Sequence, residues 1–203
     1  MSPFPNLFRR QLSERERAVA DRLPPGQYLT EKWPVLHYGS VPRVDLATWD
    51  FVLDGLVETP LRLSYSQIQH LPRTTLQADI HCVTRWSLLD STWEGIAVEE
   101  VLKLVRLRPE ATHVLVHGER GYTTNLSLDD FVRPNNLLVD RRDGAPISPE
   151  HGWPLRLFVP HLYFWKSAKW VRRFEFLAAD RPGFWEGYGY HNHGDPWREE
   201  RYG

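Results

Sequence analysis

The chain has one cysteine, Cys82, in 203 residues, and a formal net charge of −1. A single thiol cannot close an internal disulfide, which fits a reducing compartment. Near-neutrality removes the global basic field that would hold nucleic acid or an anionic membrane by charge, so small-molecule chemistry moves forward. Nowhere does the chain approach the ~18 consecutive apolar residues of a membrane span. Arg9 and Arg10 stand near the start, but Gln-Leu-Ser-Glu-Arg-Glu-Arg follows where an export signal needs an apolar run of about 7–15 residues. The expectation is a soluble, cytoplasmic protein. No GxGxxG or GxxxxGK[ST] phosphate loop occurs either, and strands and short helices do not alternate with a βαβ period.

What is present reads as one α+β domain of mixed sheets and short helices. A charged helix is expected over 13–21 with Ser13 as its cap, ended by Pro24 and Pro25. "TEKWPVLHYGSVPRVD" is broken by Pro and Gly, a loop with aromatic side chains to offer. "TWDFVLDGLVE" predicts two short strands turned at Asp54-Gly55. "SYSQIQHLP" and "SLDDFVRP" each combine a hydroxyl cap, a short helix and a proline stop. In "LQADIHCV", Leu76, Ala78, Ile80 and Cys82 alternate on one strand face. "VEEVLKLVRL" predicts an amphipathic helix with Val98, Val101, Leu102 and Val105 on one stripe. "THVLVHGE" and "YTTNLSL" read as neighbouring strands, "NLLVDRRDGAPIS" turns at Asp143-Gly144, and "WPLRLFVP" and "KWVRRFEFLA" supply two further strands. The Gly- and aromatic-rich tail reads as irregular.

Cys82 admits three readings: apolar packing, a nucleophile, or a ligand to a soft or high-valent metal. Its sequence neighbours His81 and Arg85 favour the thiolate, which serves either of the last two. A Cys–His hydrolase needs a base on the sulfur. His81 points to the opposite strand face, leaving His113, His117, His151 or His161. "HNH" at 191–193 has neither a cysteine pair nor HExxH beside it, so a solvated turn competes with a zinc site. Arg156 opens an apolar strand, where burial is costly unless it meets an anion. In "FWKSAKW", Lys166 and Lys169 flank Ser167 and Ala168 among aromatics, a turn suited to phosphate. His37, His117, His151, Arg156, Ser167 and Lys169 together offer donors to something large, polar and anionic. Nine tryptophans, among them Trp86, Trp153, Trp165, Trp170 and Trp185 near these positions, suit the walls of a cofactor pocket or a thickly packed core.

"HCVTRWS", "HGWPLR" and "KSAKW", in this order, resemble the sulfite oxidase family of molybdenum enzymes, and within it the small bacterial sulfite oxidase-like and methionine-sulfoxide-reducing members. The likeness runs from about 37 to 190. It implies the molybdopterin-binding fold of that family over 37–203, with 1–36 as an irregular or helical extension. It also implies molybdenum held on a pterin dithiolene (molybdopterin), with Cys82 completing the sulfur set as metal ligand. By the same likeness His151, Gly152, Pro154 and Arg156 contact the pterin and its phosphate, and Ser167, Ala168 and Lys169 hold the phosphate end. His37, Ser40 and Val41 contribute from an early loop, and His117 makes a further contact. Family sulfite oxidases place a second arginine shortly after the cysteine, and here Arg85 stands three residues on, followed by Trp86. They also place a tyrosine near the metal, five residues after a late tryptophan. Counting from Trp185 gives Tyr190, with Tyr188 as the fallback.

The implied function is transfer of one oxygen atom to or from a small sulfite-like or sulfoxide-like substrate, with Cys82, Arg85 and Tyr190 as the catalytic set. Electrons would be exchanged with a separate redox partner protein. The haem and dimerisation domains of animal relatives have no counterpart, which points to a monomer. Two rivals remain: a hydrolase or transferase with Cys82 as nucleophile, and a binding module that keeps the fold without the cofactor.

Overall fold

Serine side chains start three of the short helices of the protein, whose structure, a computed structural model, describes residues 11–203. The Arg9-Arg10 pair lies outside the described residues. Ser13 caps α1 (Glu14–Ala18) in a reciprocal box with Glu16, and a single 3-10 turn follows at Ala20–Arg22. Next come β1 (Tyr28–Leu29), β2 (Asp50–Gly55), β3 (Leu61–Ser64) and α2 (Tyr65–Gln69), which Ser64 opens with a second box to Gln67. Then follow β4 (Arg73–His81), β5 (Trp86–Ala97), α3 (Val98–Leu102) and β6 (His113–Gly118). β7 (Thr123–Ser127) leads into α4 (Leu128–Phe131), where Ser127 accepts from Asp130 N. The chain ends with β8 (Leu137–Arg142), β9 (Ala145–Pro146), β10 (Arg156–Phe158), β11 (Val171–Leu177) and α5 (Phe184–Gly187), a single turn inside the otherwise irregular tail. No helix among the described residues is long and apolar enough to cross a membrane.

Two mixed sheets carry the domain. The six-stranded sheet runs β1-β5-β8-β10, with β4 also on β5 and β9 on β8; the five-stranded sheet runs β3-β2-β11-β6-β7. Their facing sides share one core, in which Ile96, Leu138 and Leu157 of the first sheet meet Phe51, Val114 and Phe174 of the second. The alternation read at 173–176 holds, with Phe174 and Phe176 buried on β11. β8 is buried on both faces: its neighbours Leu137 and Val139 turn to a second cluster with Ile80, Leu88, Trp93 and Phe158. Leu76, Ala78 and Cys82 join that cluster too, as their alternation predicts, despite a bulge between Ala78 and Ile80.

Two expectations need correction. The turn at Asp54-Gly55 is not there, because β2 continues to Gly55 and pairs with β3 only after residues 56–60. The cause is β11, parallel to β2: a Cβ on Gly55 would sit 2.3 Å from Phe176 O, so the glycine serves close strand approach at φ +76°. α3 stops at Leu102, and Val105 packs on the core from beyond the helix. The described part of the segment before residue 37 packs on the domain. β1 pairs with β5, and the Gln27 amide donates to Cys82 O at 3.0 Å.

Candidate active site

Cys82 sits where β4 gives way to β5, in a tight turn. Cys82 N donates to Trp86 O, Arg85 N donates to Cys82 O (both 2.9 Å), and Arg85 takes φ 77°. The turn is clamped from both ends of the described chain. Besides Gln27 on Cys82 O, the buried Arg201 donates to Val83 O at 2.7 Å. Thr84 Oγ1 donates to Cys82 Sγ at 3.1 Å. Burial pushes the thiol up from its ordinary value, opposed by Thr84 and by the charge of Arg201. The expected help from His81 and Arg85 is absent. The ring of His81 bonds Ser87 Oγ at 2.8 Å, and Arg85 is exposed.

Cys82 lies in the wall of a cavity of about 370 Å³. Trp86, Phe164, Trp165, Trp185 and Tyr190 line it, and so do Trp33, His37, Ser40, His151, Arg156, Ser167, Lys169 and Trp170. Tyr190 is stacked on Trp185 at 5.0 Å and stands edge-on to Trp165 at 5.1 Å, whereas Tyr188 is 70 % exposed and lines nothing here. Burial raises the Tyr190 phenol, which therefore keeps its proton past its ordinary range.

Among the described residues, Arg156, Lys169 and His151 of the lining have no carboxylate partner, while Glu119, also in the lining, is paired with Arg172. Arg156, 2 % exposed, donates to His151 O and Ser167 O at 2.7 Å each, while its Nε has no partner. Desolvation lowers it to about 9. Its guanidinium lies over Phe164 at 4.2 Å. Lys169 donates only to the backbone oxygens of Leu36 and Glu150, and desolvation and the charge of Arg156 lower it to about 7. His151 stacks on Trp33 at 3.8 Å, and its Nδ1 faces Ser148 Oγ at 3.0 Å. Its buried Nε2 has no partner, and desolvation with nearby cations lowers it to about 4. Gly152 lets this cluster close up, since a Cβ there would lie 3.2 Å from Lys169 Cα at φ +119°.

Such a set is unfavourable by itself and is made good by an anion with several acceptors. A buried thiol at one end, unpaired cations with spare nitrogens nearby and aromatic walls fit an elongated group with a phosphate and a soft metal. The residues present therefore fit a molybdenum pterin.

Several sequence candidates fall elsewhere. His117 Nε2 meets Glu175 Oε2 at 2.8 Å on β6, outside the cavity. Val41 is half-buried and not in the lining, and Ala168 is in the core, where its carbonyl accepts from Leu157 N. Lys166 faces away, paired with Glu186 at 2.6 Å, so the turn offers one cation to the cavity rather than two. Trp153 lies outside the lining, unlike the other four tryptophans singled out. At 191–193, His193 bridges Asp130 and Glu200, and the described residues hold no group of three or more metal-ligating side chains. Of the four proposed bases for a cysteine hydrolase, only His151 shares the cavity with Cys82.

Sequence reasoning missed Trp33, Tyr122, Gln27 and Arg201. Trp33 stood in a loop flagged for its aromatics, but Gln27 and Arg201 lie 55 and 118 residues from the carbonyls in the Cys82 turn that they hold. No local pattern reports such contacts.

The profile of the "oxidoreductase molybdopterin binding domain" family matches residues 38–185. The "uncharacterized oxidoreductase YuiH" of Bacillus subtilis is 46 % identical over 189 residues, covering 93 % of this chain and 96 % of that protein. A "putative protein-methionine-sulfoxide reductase subunit" of Azospira oryzae is 25 % identical, covering 82 % of this chain and 64 % of its own. An NADH nitrate reductase of Hordeum vulgare is also 25 % identical, but this chain spans only 20 % of it. The fold is that of the sulfane dehydrogenase SoxCD from Paracoccus pantotrophus, with a TM-score of 0.65 at 20 % identity over 70 % of this chain and 41 % of that one.

Proposed function

The chain belongs to the oxidoreductase molybdopterin binding domain family, and from that membership we propose oxygen-atom transfer to or from a small, uncharged sulfur compound of the sulfoxide kind. It is a molybdopterin-dependent oxidoreductase. The molybdenum pterin, when bound, supplies two-electron oxygen-atom chemistry. The chain's own residues do the rest. Cys82 would hold the metal as its thiolate. Arg156, Lys169 and Ser167 would hold the phosphate, and His151 would offer a ring nitrogen to the pterin edge. Tyr190 holds a proton beside the thiolate end, where a substrate oxygen would lie, and the surrounding indoles exclude water.

One observation supports the choice of an uncharged substrate: Cys82 clusters with Trp86, Trp165, Trp185 and Tyr190, while Arg85 stays exposed outside the cavity. An oxyanion such as sulfite asks for a free cation there. Arg201 is committed to the Val83 and Pro25 carbonyls, and Arg120, the remaining arginine of the lining, is exposed. On this reading, electrons would be exchanged with a separate redox partner protein.

The test begins with metal and pterin content of protein made in a host that synthesises the pterin, beside Cys82→Ser. Near-stoichiometric molybdenum with a fluorescent pterin oxidation product is expected in the wild type, and reduced or electronically altered metal in the variant. A folded wild type lacking both would overturn the cofactor assignment. Turnover of dimethyl sulfoxide with an artificial reductant should then exceed turnover of sulfite with an artificial oxidant, and the reverse order would overturn the substrate class.

A further inference from the structure

The ring of Tyr190 packs against Trp165, Trp185 and Tyr202, and one buried carboxylate ties the two tryptophans together. Glu186 follows Trp185 on α5, and its Oε1 accepts from Trp165 Nε1 at 2.9 Å. The same carboxylate pairs with Lys166 at 2.6 Å and accepts from Thr124 Oγ1 at 3.3 Å. Lys166 Nζ also donates to Asn125 O, Asn125 Oδ1 and Asn192 O at 2.9, 3.0 and 2.6 Å. The two side chains of the pair are 1 % and 2 % exposed. Gly183 admits the arrangement: a Cβ there would lie 2.6 Å from both Thr124 Cα and Glu186 Oε2, so only glycine lets α5 lie this close to β7.

A buried ion pair is weak support for stability, since apolar groups of like volume commonly serve as well or better. What an apolar pair cannot do is give the Trp165 indole a fixed acceptor. The indole face rests on Tyr163 at 5.3 Å, its edge meets Tyr190, and Gly194 packs so closely that a Cβ would come within 2.8 Å of the ring. An indole turned about its side-chain bonds would carry Tyr190 with it.

We infer that Glu186 is a positioning residue: its bond to Trp165 Nε1 fixes the indole that sets the Tyr190 ring beside Cys82, and so shapes the space a substrate enters. The inference rests on the preceding reading of the Cys82 end as substrate space. Two double variants of the full-length holoenzyme isolate the acceptor from the charge. Lys166→Met with Glu186→Gln removes both charges and keeps a carbonyl oxygen for the indole. Lys166→Met with Glu186→Leu removes the charges and the acceptor.

The readouts are hydrogen exchange of the Trp165 indole N–H by NMR on tryptophan-labelled protein, and kinetics with dimethyl sulfoxide at matched molybdenum content. The leucine double should exchange about tenfold faster than wild type. It should also raise KM about fivefold with kcat within about twofold. The glutamine double should stay within about twofold of wild type in both measures. Equal exchange or equal KM in the two doubles would overturn the role of Glu186. A wild type that turns over no sulfoxide would overturn the substrate reading instead, and the exchange comparison would still decide whether Glu186 holds the indole.

Discussion

Replacing Arg156 by methionine tests the cationic cluster most directly, because its effects on the empty and loaded protein should differ. In the empty protein the guanidinium is buried with two carbonyls and no counterion. Its fall from the ordinary arginine value to about 9 corresponds to roughly 5 kcal/mol of desolvation at 1.36 kcal/mol per unit. Methionine removes that cost but leaves His151 O and Ser167 O without their donor, at about 1–3 kcal/mol each. The two effects nearly cancel, so the empty protein should change in stability by no more than about 2 kcal/mol. In the loaded protein the arginine makes charge-assisted bonds to a phosphate, each worth about 1.5–3 kcal/mol. Losing two of them should weaken cofactor binding by a factor of about 10²–10⁴. Thermal unfolding of empty and loaded protein, with molybdenum content, separates the cases. The variant should unfold near the wild-type temperature when empty and lose the upward shift that the cofactor gives the wild type. A variant that keeps both its molybdenum and that shift would refute the assignment of Arg156 to the anion.

Lys169, lowered to about 7 in the empty protein, makes cofactor binding pH-dependent. Only the protonated amine pairs with phosphate, so affinity should fall as pH rises above about 7, and Lys169→Gln should flatten that limb of the binding curve. Folding linkage runs the other way: the unfolded chain binds the extra proton between about 7 and 10.5, so this group makes the empty protein more stable as pH rises through that window. A denaturant midpoint that does not respond to Lys169→Gln across that range would contradict the burial argument. Tyr190→Phe should lower kcat about a hundredfold, while Tyr188→Phe should stay within about twofold; equal losses from the two would remove Tyr190 from the site. Gly95→Ala puts a Cβ 2.0 Å from Leu138 O, on backbone that cannot move aside. A loss of about 3 kcal/mol and a fall in melting temperature of about 8 °C are expected, and an unchanged transition would show that the β5–β8 contact yields.

Much of the site was legible in sequence wherever local chemistry was unusual. A lone cysteine after an alternating strand, an arginine opening an apolar strand, and a Ser-Ala-Lys turn among aromatics each violate the ordinary pattern for their element. Each of them lies in or beside one cavity. His117, on β6, meets Glu175 across the sheet and stands outside that cavity. Lys166 and Lys169 looked alike in sequence, yet one is neutralised by Glu186 and the other faces only carbonyls.

Sequence alone determined what depends on near neighbours: the serine caps of α1, α2 and α4, the buried faces of β4 and β11, and the identity of the thiol. Those follow from side-chain periodicity and from hydrogen bonds that span three residues. Tertiary structure alone decided the rest. It chose β11, rather than a local hairpin, as the partner of β2 beside Gly55. It made burial, not His81 or Arg85, the leading influence on the Cys82 thiol, and brought Arg201 to oppose it. It also put the ring of Tyr190 against two tryptophans from separate segments in the cavity wall and left that of Tyr188 in solvent. Contacts between residues far apart in the chain leave no local pattern to read, and desolvation exists only once the packing around a group is complete.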